Sequence, residues 1–86
     1  MTAIDDITSR LTSLLVTYIK ENVADKTDTD ISPDTNLTGD LELESIQIME
    51  YVVEIEDDYD ISIDLESLSN AKTISDLAGV VARELN

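Results

Sequence analysis

Apolar residues recur at helical spacing from the start of the chain. Ile4, Ile7, Leu11, Leu14, Leu15, Tyr18 and Ile19 fall on one face of a 3.6-residue helix. Thr2 is placed to cap that helix, and Asp5 and Asp6 suit the positive end of its dipole. The pattern predicts a helix from about Ala3 to Val23. It dissolves between Ala24 and Glu44, where Asp, Thr and Asn surround Pro33 and Gly39. Leu37, Leu41 and Leu43 are expected to pin this long loop to the core, and loops of this length often carry function.

Periodicity returns at Ser45. Ile48, Val52, Ile55 and Tyr59 follow an i, i+4, i+7, i+11 course and predict one core-facing stripe. Ile46, Met49 and Val53 form an adjoining stripe, expected to be partly covered. Glu50, Glu54 and Asp57 form an acidic one. These predict a helix from Ser45 to about Tyr59. The segment DYDISID that follows reads as a loop, and Asp64 to Ser69 as one short helical turn. A last helix starts at TISD, with Thr73 capping and Asp76 reaching back as a capping-box variant. Its expected buried face is Ile74, Leu77, Ala78, Val81 and Leu85.

The fold class that follows is all-α: a small four-helix bundle of three main helices and one short helix, with a long loop between the first and second. The 86 residues suit a single domain spanning 1–86. A starting Met and an ending just after the last helix suggest a free-standing protein, expected to be a monomer.

Charge narrows the function. The chain has 5 basic and 20 acidic residues, a net charge of −15. Nucleic acid and anionic membrane surfaces call for Lys and Arg, so both are excluded as partners. No Lys or Arg lies between Lys26 and Lys72, a window that holds 14 of the acids. A solvated face is the ordinary meaning of such a run, and a docking surface for basic partners is the sharper one. The chain has no Cys and no His, which removes disulfides, thiolate nucleophiles, Cys/His metal sites and the commonest general base. The N-terminal residues lack a secretory pattern and no apolar run reaches membrane-span length, so the expected location is cytoplasmic.

Ser45 is the one residue that stands out for chemistry. A Ser at a helix N-terminus is most often a cap. As a catalytic nucleophile it lacks a base. As an acceptor of a phosphate ester it is well placed, because a helix N-terminus offers free N–H groups and the positive end of a dipole. The surrounding acids oppose the added charge, so attachment calls for an enzyme.

The stretch DLELESIQIMEYVVEIEDDYDISI resembles the acyl carrier protein family. In that family a D-S-L motif opens the second helix, and its Ser receives a 4′-phosphopantetheine arm. The matching triplet here is Glu44-Ser45-Ile46. Leu37, Asp40 and Leu41 match the approach to it, and Ile61 and Ile63 the loop beyond the second helix. KTISDLAGVV matches the start of the fourth helix. Two positions depart from the pattern: Glu44 replaces the usual Asp, and Glu42 stands where carriers of fatty-acid synthesis commonly have Gly.

The resemblance implies a carrier and not an enzyme. It implies an acyl-type intermediate held as a thioester on an arm attached to Ser45, and delivery to enzymes of fatty-acid, polyketide or related biosynthesis. It implies a phosphopantetheinyl transferase and basic-patched acyl-loading or acyl-transferring enzymes as partners. Glu44, Ile46, Met49, Glu50 and Val53 would contact them. Ile48, Val52, Ile55, Ile63 and Leu68 would line an acyl pocket, or simply pack the core. Two other readings stay open. One is an unmodified carrier-like scaffold that binds a partner. The other is a calcium loop starting at Asp34, with Asn36 and Thr38 at its third and fifth positions, Gly39 at the sixth and Leu41 at the eighth. Ser45 stands at that loop's twelfth position, where a bidentate Glu is needed.

Overall fold

The computed structural model describes residues 4–23 and 31–85. Four helices occur among them: α1 (Ile4–Asn22), α2 (Ser45–Tyr59), α3 (Leu65–Asn70) and α4 (Ile74–Leu85). The only β-type pairing among the described residues is an isolated antiparallel bridge between Asn36 and Thr73. The all-α expectation holds, with the expected loop between α1 and α2. Thr2, and with it the expected first cap, lies outside the described residues.

α1 is the central post. It packs against α4 and α2 and buries Ile7, Leu11, Leu15, Tyr18 and Ile19. Ile4 is half exposed, and Leu85 at the far end of α4 is exposed too. Both were expected inside. Periodicity places a residue on the right face, but the terminal turns of a helix run past the neighbours that would cover them. Tyr51 is the converse case. It sits three residues past Ile48 on the same face, is wholly buried, and its hydroxyl donates to the Leu11 carbonyl at 2.8 Å.

The described part of the first loop is strapped down rather than loose. Leu37, Leu41 and Leu43 are buried, as their spacing predicts. Leu37 N–H donates to the Lys72 carbonyl at 2.9 Å, and Ser75 N–H to the Pro33 carbonyl at 2.9 Å. These bonds tie the loop to the segment that joins α3 to α4 and to the first turn of α4. That satisfies backbone groups which a packed loop would otherwise bury unpaired.

α4 begins with the expected capping box. Asp76 N–H donates to Thr73 Oγ1 at 3.1 Å, and Thr73 N–H donates back to Asp76 Oδ2 at 3.2 Å. Ile74, Leu77, Ala78 and Val81 are buried, with Val80 beside them. α3 is held differently. It buries no side chain fully, and Asp64 caps it by accepting from Ser67 N–H at 2.7 Å. α2 ends where Asp60 turns into the left-handed region at φ 56°. Glu56 then accepts the Ile63 N–H at 2.7 Å and fixes the chain's exit.

Candidate functional site

The site is built at the start of α2. Ser45 is not the cap there. Glu44 holds the N-cap position in extended conformation, and its N–H donates to Gln47 Oε1 at 2.8 Å. This reciprocal bond is the mark of a capping box, and it sets the helix boundary one residue before Ser45. Ser45 therefore occupies the first helical position. It is exposed, and its Oγ has no hydrogen-bond partner among the described residues. The first turn of α2 holds no acid, although the chain around it is rich in them.

Beside Ser45 lies a cleft of about 300 Å³. The first loop contributes Leu37 and Thr38 to its walls, and α2 contributes Ser45, Ile48 and Met49. α3 adds Leu65, Leu68 and Ser69, and the link to α4 adds Ala71 and Lys72. Most of the lining residues are apolar, with Thr38, Ser45, Ser69 and Lys72 among them. Of the residues expected around an acyl chain, Ile48 and Leu68 line this cleft. Val52 and Ile55 are buried elsewhere, Ile55 wholly within the core, and Ile63 packs half-buried against it. Leu37, Leu65 and Ala71 were not anticipated as walls. Their part in the cleft depends on how loop and α3 approach α2, which helical periodicity does not encode.

The outward side of α2 carries the expected second stripe. Ile46, Met49 and Val53 are 67%, 44% and 49% exposed, so the core does not claim them. Glu44 and Glu50 are exposed alongside. Glu50 also holds α2 to α1: its Oε1 accepts the Tyr18 hydroxyl at 2.7 Å. Burial, then that bond and the charge of Glu50, push the Tyr18 phenol up to about 12.

The loop read as a possible calcium site is organised around itself. Asn36 Oδ1 accepts from Thr38 N–H at 3.0 Å, Thr38 Oγ1 at 2.9 Å and Gly39 N–H at 2.7 Å. Asp40 Oδ2 accepts the Asn36 N–H at 2.8 Å. The oxygen needed at the third ligand position thus builds a turn instead.

Comparison with known proteins agrees with this geometry. The family profile described as "Phosphopantetheine attachment site" matches residues 13–81. An acyl carrier protein of Exiguobacterium sp. is 31% identical over 70 residues, covering 78% of this chain and 89% of that protein. One from Exiguobacterium sibiricum is 27% identical over the same span. Among solved structures, a protein of Mycobacterium tuberculosis assigned as an acyl carrier protein superposes with a TM-score of 0.74 at 25% identity. That match covers 90% of this chain and 96% of the other. The features that an arm requires are present here, an accessible hydroxyl free of other bonds at a helix N-terminus beside an apolar cleft. The chain belongs to the acyl carrier protein family, whose members carry a 4′-phosphopantetheine prosthetic group.

Proposed function

We propose that residues 1–86 form one carrier domain in which Ser45 bears the arm, and that the protein works in the cytoplasm without catalysing a reaction itself. The observation that carries this reading is the exposed, unbonded Ser45 Oγ at the lip of the apolar cleft. Esterification there disrupts no hydrogen bond of the fold. Ser45 Oγ bonds to the pantetheine-side phosphorus of coenzyme A as the pyrophosphate P–O bond breaks, 3′,5′-ADP leaves with the electron pair, and the hydroxyl proton passes to a base of the modifying transferase. This chain has no His to take it. When bound, the arm supplies the thiol that a chain without Cys lacks, and the cargo is joined to it as a thioester.

The surroundings suit handling of an acyl-type intermediate in fatty-acid, polyketide or related biosynthesis. Ile48 and Leu68 offer apolar walls to an acyl chain, while Val52, Ile55 and Ile63, outside the cleft lining, serve core packing. Glu44, Ile46, Met49, Glu50 and Val53 form a mixed acidic and apolar surface on the same helix. That combination suits transferases and acyl-handling enzymes with basic patches around an apolar centre.

Thr38, Ser45 and Ser69 are the hydroxyl-bearing residues that line the cleft, which makes a sharp test possible. The chain is incubated with a broad-specificity phosphopantetheinyl transferase and coenzyme A labelled on its thiol. Thr38→Ala and Ser69→Ala are expected to take up label like the parent, and Ser45→Ala to take up none. Label on Ser45→Ala would refute the assignment. A parent chain that an active transferase leaves unlabelled would favour the unmodified scaffold.

A further inference from the structure

We infer that Lys72 is a positioning residue for the arm, pairing its ammonium with the phosphodiester at Ser45. This rests on Ser45 being the attachment point. Lys72 is the only cation between Lys26 and Arg83, and it lines the same cleft as Ser45. Its backbone is fixed from both sides. The Lys72 carbonyl accepts from Leu37 N–H at 2.9 Å, and its N–H donates to Asp76 Oδ2 at 2.9 Å. The root of the side chain is thus held beside the cleft, and the residue as a whole is exposed.

Among the described residues the ammonium makes no direct ion pair, and its charge reaches Asp76 only through space. The one ion pair among the described residues joins Arg10 to Asp58, away from the cleft. Asp76 is the acid nearest in sequence on α4, but its Oδ2 already accepts the backbone N–H groups of Lys72 and Thr73. Arg83 lines a different, polar hollow with Glu66, Ser67 and Asn70. Asp40, Glu42 and Glu44 flank the approach to Ser45 without lining the cleft. A phosphodiester adds a full negative charge to a chain already at −15. The only countercharge sharing its cleft is Lys72. Pairing holds the root of the arm at the cleft mouth and leaves its thiol end free to swing.

The test uses the chain loaded with phosphopantetheine, its mass confirming one arm and fragmentation locating it. The ³¹P resonance of the phosphodiester is recorded at about 0.01 M and about 1 M salt, where screening lengths are roughly 30 and 3 Å. Parent, Lys72→Gln and Lys72→Arg are compared, with helicity checked by circular dichroism. A paired phosphate gives a resonance that moves with salt in the parent and in Lys72→Arg. In Lys72→Gln it stays near the high-salt position. A resonance that is the same in parent and Lys72→Gln, on an arm mapped to Ser45, overturns this inference and leaves the attachment site intact. An arm mapped elsewhere, or no arm, overturns both.

Discussion

A single register step separates a capping serine from a modifiable one. Ser is a far commoner N-cap than Glu, so residue preference alone assigns the cap to Ser45. The Gln47 side chain decides otherwise by bonding the Glu44 N–H. The reactive candidate was legible in the sequence, but its freedom was not, because the boundary turns on the rotamer by which Gln47 reaches the Glu44 backbone N–H. Glu42 shows a related effect. It holds φ 54°, in the left-handed region, at the position where the family resemblance expects Gly. A side chain there crowds the following carbonyl, and Gly does not.

Helix starts and faces were the most readable features, since caps and periodicity are local. The Thr73–Asp76 pair caps as expected, Asp64 caps the short α3 without having been foreseen, and the interiors of α1 and α4 bury the predicted stripes. What local pattern left out is how helices join. α1 meets α2 through Tyr51 and the Leu11 carbonyl, through Tyr18 and Glu50, and through a two-point contact of Arg10 with Asp58. Each spans more than thirty positions in sequence, beyond any periodic signal. Thr73→Ala is expected to cost about 1 kcal/mol in chemical denaturation, the usual effect of losing an N-cap hydroxyl. The tyrosines make a second prediction. Tyr18 titrates near 12 in the folded chain against an ordinary 10, and Tyr51 is pushed up further by its burial. The folded state keeps both phenols protonated after the unfolded chain has begun to lose its protons. The stability they contribute is therefore full below pH 10 and declines as pH rises through the window from 10 to about 12. Tyr18→Phe should flatten that decline, though it also loses the bond to Glu50. An unchanged alkaline profile would contradict the assigned environment.

Across the whole molecule, the excess of acid sets both behaviour and purpose. A net charge of −15 on 86 residues repels itself in the compact state. Salt should therefore raise the melting temperature by several degrees between low and physiological ionic strength. A melting temperature independent of salt would mean that the acids are already locally compensated. On the proposed function the same charge would suit basic partners, and Ile46, Met49 and Val53, exposed on α2, would be the apolar centre they dock on. Fold class and carrier family were both legible, because the helix pattern, the loop and the Ser45 triplet agree. The cleft was only half legible: Ile48 and Leu68 were foreseen, but Leu37, Leu65 and Ala71 were not, since these walls come together only in three dimensions. The most direct test of the account is intact mass after treatment with coenzyme A and a broad-specificity phosphopantetheinyl transferase, with Ser45→Ala alongside. The account predicts a gain of one phosphopantetheine in the parent chain and none in the variant. An equal gain in both, or none in the parent with a transferase shown to be active, would contradict it.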